Sequence, residues 1–218
     1  MKLTLSSALL AGLLAGACLP VTGCKSVYYA TYEKFGVYKR DLLKKNVQAA
    51  RDDQQKASEQ FKDALTKLKE VYAFDGGELE KAYRDLNSEY EDSVSRAAAV
   101  RKRIADVETV GGDLFKEWEG EIQQISTPSL AESSRKQLRE TRAKYDLMVD
   151  ALKRAEQSME PVLTKLHDQV LYLKHNLNAA AIASLRGEAT NIQAEIAKLI
   201  ADMNASIAKA DEFIKTME

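Results

Sequence analysis

The sequence predicts an all-α fold, an elongated antiparallel helical bundle or coiled coil of four long helices. Three observations predict it. Apolar residues recur at alternating intervals of four and three along most of the chain, a spacing near ~3.5 that makes a seam needing burial against another helix. Ala, Leu, Glu, Lys, Gln and Arg, the strong helix formers, dominate, and beyond residue 23 the only prolines are Pro128 and Pro161. No stretch of Val, Ile or Thr alternates at period two, so the pattern offers nothing for strands.

The first helix, about residues 26–74, carries the stripe Leu43, Val47, Ala50, Gln54, Ala57, Phe61, Ala64, Leu68 and Val71, in which Gln54 alone is polar. Ahead of it, Tyr28, Tyr32, Phe35 and Leu42 run on a stripe offset by about one residue. "FDGGE" then turns the chain: Gly76 and Gly77 can take positive φ, and Asp75 with Glu78 has the spacing of a capping box. The second helix, about 78–126, repeats the seam from Leu79 through Leu86, Ala97, Val107, Gly111 and Leu114 to Trp118. "STPSLAE" is the second turn, with Thr127 as cap, Pro128 at the first helical position, and Ser129 with Glu132 at capping-box spacing. The third helix, about 129–176, carries Leu138, Thr141, Tyr145, Met148, Leu152, Ala155, Met159, Val162 and Leu166. Asn176 can end it and Asn178 can cap the fourth, about 178–217, whose seam runs from Ile182 to Met217. No glycine or proline enforces that third turn. One very long C-terminal helix, giving three helices in all, and a break at Pro161 both stay open. Segments of about 48 residues reach roughly 70 Å, and equal lengths suit antiparallel partners.

The head of the chain reads as an address. Lys2 precedes the apolar run Leu3–Leu19, too short and too quickly followed by charge for a comfortable membrane span. Val21, Thr22, Gly23 and Cys24 then resemble the bacterial lipobox, a branched apolar residue and two small ones before a cysteine; Ala15 to Cys18 fit it less well. The resemblance implies that Cys24 is lipidated, that residues 1–23 are a cleaved signal peptide, and that residues 24–218 form one helical rod domain. The chain has two cysteines. Cys18 would leave with the signal and Cys24 would be consumed by lipid, so no disulfide, thiolate metal site or cysteine nucleophile is expected. Lys25 stands where inner-membrane lipoproteins often carry aspartate, which implies the periplasmic face of the outer membrane.

Five of the aromatics, Tyr28, Tyr29, Tyr32, Phe35 and Tyr38, crowd into one short stretch. Tyr28, Tyr32 and Phe35 share a stripe and read as core. Tyr29 and Tyr38 lie off it and, with Trp118, are candidates for a membrane-proximal collar, since such rings favour the headgroup level. Tyr72 and Phe74, beside the first turn, are candidates for an interface at the far tip; the alternative is that they plug the open end of the bundle.

Chemistry-bearing patterns are absent. No glycine precedes a lysine, which excludes a phosphate-binding loop. His167 and His175 lie eight apart, about 80° around a helix and ~12 Å along it, too far to share an ion. Asp52 and Asp53, and Glu117, Glu119 and Glu121, sit on exposed-face spacing, and the triplet Arg101, Lys102 and Arg103 is offset by nearby acids. With 32 basic against 33 acidic residues, no electrostatic footprint for nucleic acid is expected. No catalytic, cofactor or metal residue is assigned, and an enzyme is not expected.

"CKSVYYATYEKFGVYKRD" and "LYLKHNLNAAAIASLRGE" resemble an uncharacterised family of proteobacterial lipoproteins defined by a domain of unknown function. Some members are labelled DNA repair ATPase, a label that fits coiled-coil likeness better than this chain, which lacks the nucleotide loop. The resemblance supplies no catalytic residues. The lipobox-like start joined to continuous heptads without a site points instead to an outer-membrane lipoprotein, a structural or adaptor protein held to the membrane through Cys24, with a protein partner or self-association through its helices. The alternatives are a membrane-active helical bundle and an enzyme with a site between helices.

Overall fold

The computed structural model describes residues 23–74, 76 and 78–217, with side chains from Tyr28 onward. Residues 1–22, which hold nearly all of the expected signal peptide and the first two lipobox-like positions, lie outside the described residues. So do Asp75 and Gly77, and with them the capping box expected at the first turn. Six helices follow in order: α1 (Gly23–Lys34), α2 (Lys39–Tyr72), α3 (Leu79–Ile122), α4 (Pro128–Gln157), α5 (Met159–His175) and α6 (Ala179–Thr216). No strand occurs among the described residues. The chain divides after Val37 into two units.

The first unit contributes α1. The helix expected to run unbroken from 26 to 74 stops here because Gly36 takes φ +74, a left-handed conformation that costs glycine nothing. Val37 N–H donates to Tyr32 O at 3.1 Å and Gly36 N–H to Glu33 O at 2.9 Å. That pair of bonds is the Schellman closure, with glycine at the position just past the helix. Gly36 is therefore the terminator of α1.

The second unit is the antiparallel bundle. α2 packs on α3 and α6, while α4 and α5 together form the third side, each packing on α3 and α6. Cross-helix bonds set the direction: Gln60 to Glu89 and Arg103 to Asp53 join α2 and α3, and Lys165 to Glu195 joins α5 and α6. The stripe from Leu43 to Val71 is wholly interior, each member no more than 1% exposed. Burying a leucine or phenylalanine side chain is worth roughly 1.5–3 kcal/mol, so repetition along a seam holds long helices together without a compact globular centre.

The third segment departs from expectation by one residue. Ser158 interrupts it, its N–H and hydroxyl both donating to Arg154 O at 3.1 and 2.9 Å. The cause lies three residues on. A proline ring clashes with the carbonyl four residues back, and its missing N–H is tolerated only in a first turn. Opening the helix after Gln157 puts Pro161 in the first turn of α5. Ser158 itself stays near helical geometry, φ −73 and ψ −12.

The seam of α3 also drifts. It holds through Leu86, Ser93, Ala97, Val100, Ile104 and Val107, then passes to Val110, Gly111 and Phe115. Leu114 and Trp118, expected inside, are only half-buried. A straight α-helix slips ~20° per heptad against a strict 3.5 repeat, and over the roughly ten turns from Leu79 to Phe115 that moves the inward face by about one residue. Gly111 has a reason to be glycine: a Cβ there would run into the Tyr145 ring of α4. Tyr145 stacks edge-on with Phe115 at 5.1 Å and with Phe213 of α6 at 5.9 Å. An aromatic triad thus fills the core where the glycine admits it.

Candidate functional site

The head segment presents its aromatics the other way round from expectation. Tyr28, Tyr32 and Phe35 are 49%, 36% and 81% exposed, whereas Tyr29 is buried. The on-stripe rings read as core are outside, and the off-stripe Tyr29 offered as collar is inside. A stripe marks one face of a helix; it does not say whether that face has a neighbour. Tyr38 is exposed, as a collar candidate should be. Its backbone N–H is accepted by the Asp41 carboxylate at 3.1 Å, which settles the start of α2. Trp118 is tied down instead: its indole N–H donates to Ser134 Oγ at 2.9 Å, pinning α3 to α4.

Where α2 ends and the chain turns toward α3, Tyr72 is buried and its hydroxyl meets Gln169 Oε1 at 3.3 Å. Burial first, and the Glu188 carboxylate second, raise its pKa well above the ordinary tyrosine range. Phe74 is half-buried. The Arg186 guanidinium donates to Tyr72 O and Phe74 O, satisfying carbonyls that the end of α2 leaves open. Tyr72 therefore offers no exposed ring at this end, and Arg186 holds the main chain of both residues. The exposed apolar groups near this end are Leu171, Tyr172 and Leu177. Arg186 was not legible as a tip residue, because its partners are main-chain atoms over a hundred positions away.

The interior holds a few polar groups. Gln54 reaches across the bundle to donate to Leu152 O at 3.4 Å, and its Oε1 and the Ser58 hydroxyl have no partner. Ser93 and Ser206 donate back to their own helices. Tyr145 donates to Val107 O at 3.2 Å. Its pKa is raised, by burial and then by Glu108 and Asp146.

The surface charges are spent on each other. Arg101 pairs with Glu156, Lys102 with Asp106 and Arg103 with Asp53, so the basic triplet is offset as expected. Arg51 spans Asp52 and Asp211, and those bonds, Asp211 first, raise its pKa further. Lys39 holds Glu117, and Arg142 holds Glu119 while lying 4.9 Å over the Phe115 ring. His167 stacks on Tyr90 at 5.1 Å, and His175 is exposed.

Two open grooves mark the flanks. One of about 560 Å³ lies over Gly112 and Phe115, edged by Arg142, Asp146, Asp150 and Lys153. Another of about 520 Å³ follows the α4–α5 break beside Pro161, Lys198 and Asp202. Among the described residues no group of three or more His, Cys, Asp or Glu is placed to hold a metal ion, and no helix is long and apolar enough to cross a membrane.

No curated protein and no solved structure matches the chain. A family model does, over residues 28–217, described as protein of unknown function (DUF2959). That match takes in α2 to α6 entire and α1 from Tyr28 onward, and on its extent the chain belongs to this uncharacterised family.

Proposed function

We propose that the chain is a lipid-anchored envelope protein with a structural or adaptor role at the periplasmic face of the outer membrane, and not an enzyme. One observation carries the reading: the bundle fills its interior with its own seam and ties its surface charges together between helices, as Arg103–Asp53, Arg101–Glu156 and Arg51–Asp211 do. Such a body has reach and flank area. A helix the length of α3, 44 residues, spans about 66 Å at ~1.5 Å per residue. The lipobox-like residues before α1 supply the attachment. One acyl chain binds a membrane only marginally, whereas two or more anchor it.

Metabolic labelling with a palmitate analogue tests the anchor. The wild-type chain should take up label and a Cys24→Ala variant should not; label persisting in the variant defeats the assignment. The adaptor role is tested with photo-crosslinking residues at Tyr172, on the end of the bundle, and at Lys62 and Arg101 on its flanks. A discrete adduct from Tyr172 supports an adaptor read at its end. Adducts from the flanks alone point to side-by-side assembly, and none at any position leaves a passive spacer.

A further inference from the structure

Cys24, Tyr28, Tyr32 and Phe35 succeed one another at intervals of four, four and three. At ~100° per residue those positions fall within a sector of about 80° on one helix. α1 begins at Gly23 and its closing turn at Gly36 follows Phe35 directly. The stripe therefore starts at the residue that would carry lipid and ends where the helix does. The rings form a continuous apolar strip, with Tyr28 and Tyr32 centroids 4.9 Å apart, and they are the most exposed aromatics of α1 and its cap.

We infer that this strip is a bilayer-contacting surface, and that α1 lies along the membrane at headgroup level. The inference rests on the acylation of Cys24 proposed above. Continuity chooses the occupant: acyl chains leaving Cys24 fix the first turn of α1 at the bilayer, and the aromatics repeat on that same sector. Depth chooses the orientation. From Cys24 to Phe35 a helix rises about 16 Å, whereas interfacial helices bury their apolar face only ~5–10 Å deep. Standing upright, α1 would carry Phe35 out of the interface into water; lying flat, it seats all three rings. Tyrosine favours this level, with its ring among acyl carbons and its hydroxyl among headgroups. The charged residues Glu33 and Lys34 lie off the strip.

The acylated chain, with Cys18 and Cys24 both consumed, permits single-cysteine labelling. Full-length protein carrying Tyr28→Cys, Tyr32→Cys, Phe35→Cys or Glu33→Cys is labelled with an environment-sensitive fluorophore in phosphatidylethanolamine–phosphatidylglycerol vesicles. Labels at 28, 32 and 35 should be quenched by nitroxide lipids and show severalfold less iodide quenching than the label at 33. Iodide access at all four positions overturns the inference while acylation stands. Shielding from both quenchers at 28, 32 and 35 also overturns it, since a protein surface, such as a second copy, then covers the strip. If the wild-type chain takes up no palmitate analogue, the anchoring reading fails and this one with it.

Discussion

The stripes on α2 and α1 look alike on paper and fare in opposite ways. Leu43 to Val71 repeats apolar residues every three or four positions and is sealed inside the bundle, including the amide of Gln54. Tyr28, Tyr32 and Phe35 repeat in the same manner and stay in contact with solvent. Periodicity specifies a helix and one of its faces; a cover for that face has to come from elsewhere. For α2 it comes from α3 and α6, and the glycine turn at Gly76 brings α3 back alongside. For α1 the closing turn at Gly36 ends the helix before the stripe can merge with that of α2.

The largest expected effect breaks this contrast directly. Phe61→Ala empties a wholly buried position and should cost about 3–5 kcal/mol. Phe35→Ser, on an 81% exposed ring, should change the stability of the unmembraned protein by no more than ~0.5 kcal/mol. Urea midpoints of the two variants decide it. A comparable loss from both would mean that Phe35 is packed after all, and the two stripes would then be alike.

The next prediction sharpens it at neighbouring glycines. Gly111→Ala drives a methyl group into the Tyr145 ring, an overpacking worth about 1–3 kcal/mol of destabilisation. Gly112, one residue on, has open space at its Cβ position. Gly112→Ala should gain up to ~1 kcal/mol from helix propensity alone. Opposite signs from adjacent residues, read as melting temperatures, are the expected outcome; equal losses would show that the strain lies in the helix and not in the ring.

A pH series separates the buried tyrosines from the exposed ones. Burial chiefly raises the pKa of Tyr72 and Tyr145 in the fold, and an unfolded tyrosine titrates near ~10. The folded state then holds protons that the unfolded state releases. The stability tied to these groups is complete below about pH 10 and declines as pH rises from there toward the folded pKa. Lysines titrate in the same range, so the readout is a difference. Relative to wild type, the Tyr72→Phe, Tyr145→Phe double variant should lose stability at pH 7, each lost hydrogen bond costing ~1 kcal/mol. It should then fall less steeply above pH 10. An unchanged slope would show that neither hydroxyl is shielded from water.

Much of this architecture was legible in the sequence. The α class, the antiparallel order and the interior residues of α2, α4 and α5 follow from heptads and turn residues. What escaped has particular physical causes. Gly36 ends α1 although the stripe runs on toward Leu42; its positive φ becomes visible only once Tyr32 and Val37 close the turn. Ser158 gave no signal of its own, since the strain comes from Pro161. Phe115 became a core residue because 3.6 and 3.5 differ, a drift that accumulates over a long helix and cannot be read from any one heptad. Burial of the candidate surface residues was the least legible, because it depends on neighbours that no local spacing encodes. Tyr29, Tyr72 and Trp118 turned inward or found partners, and Tyr28, Tyr32 and Phe35 turned out.

The smallest predicted effect concerns two helix starts that read alike. Thr127 and Asn178 both precede a helix, both hold extended backbone geometry, and both are residues favoured at that position. Only Asn178 uses its side chain, its Oδ1 accepting the Ala181 N–H at 3.0 Å. Thr127 makes no such bond. Pro128 follows it and has already removed one of the N–H groups that a cap would serve. Asn178→Ala should therefore cost about 1 kcal/mol and Thr127→Ala a few tenths at most, close to the ~0.5 kcal/mol scatter of neutral surface changes. The third turn, which no glycine or proline enforces, would then depend on its asparagine more than the proline-led second turn depends on its threonine. Matched urea titrations at neutral pH settle the order. Equal losses would mean that both caps act through backbone conformation, with the Asn178–Ala181 bond adding nothing.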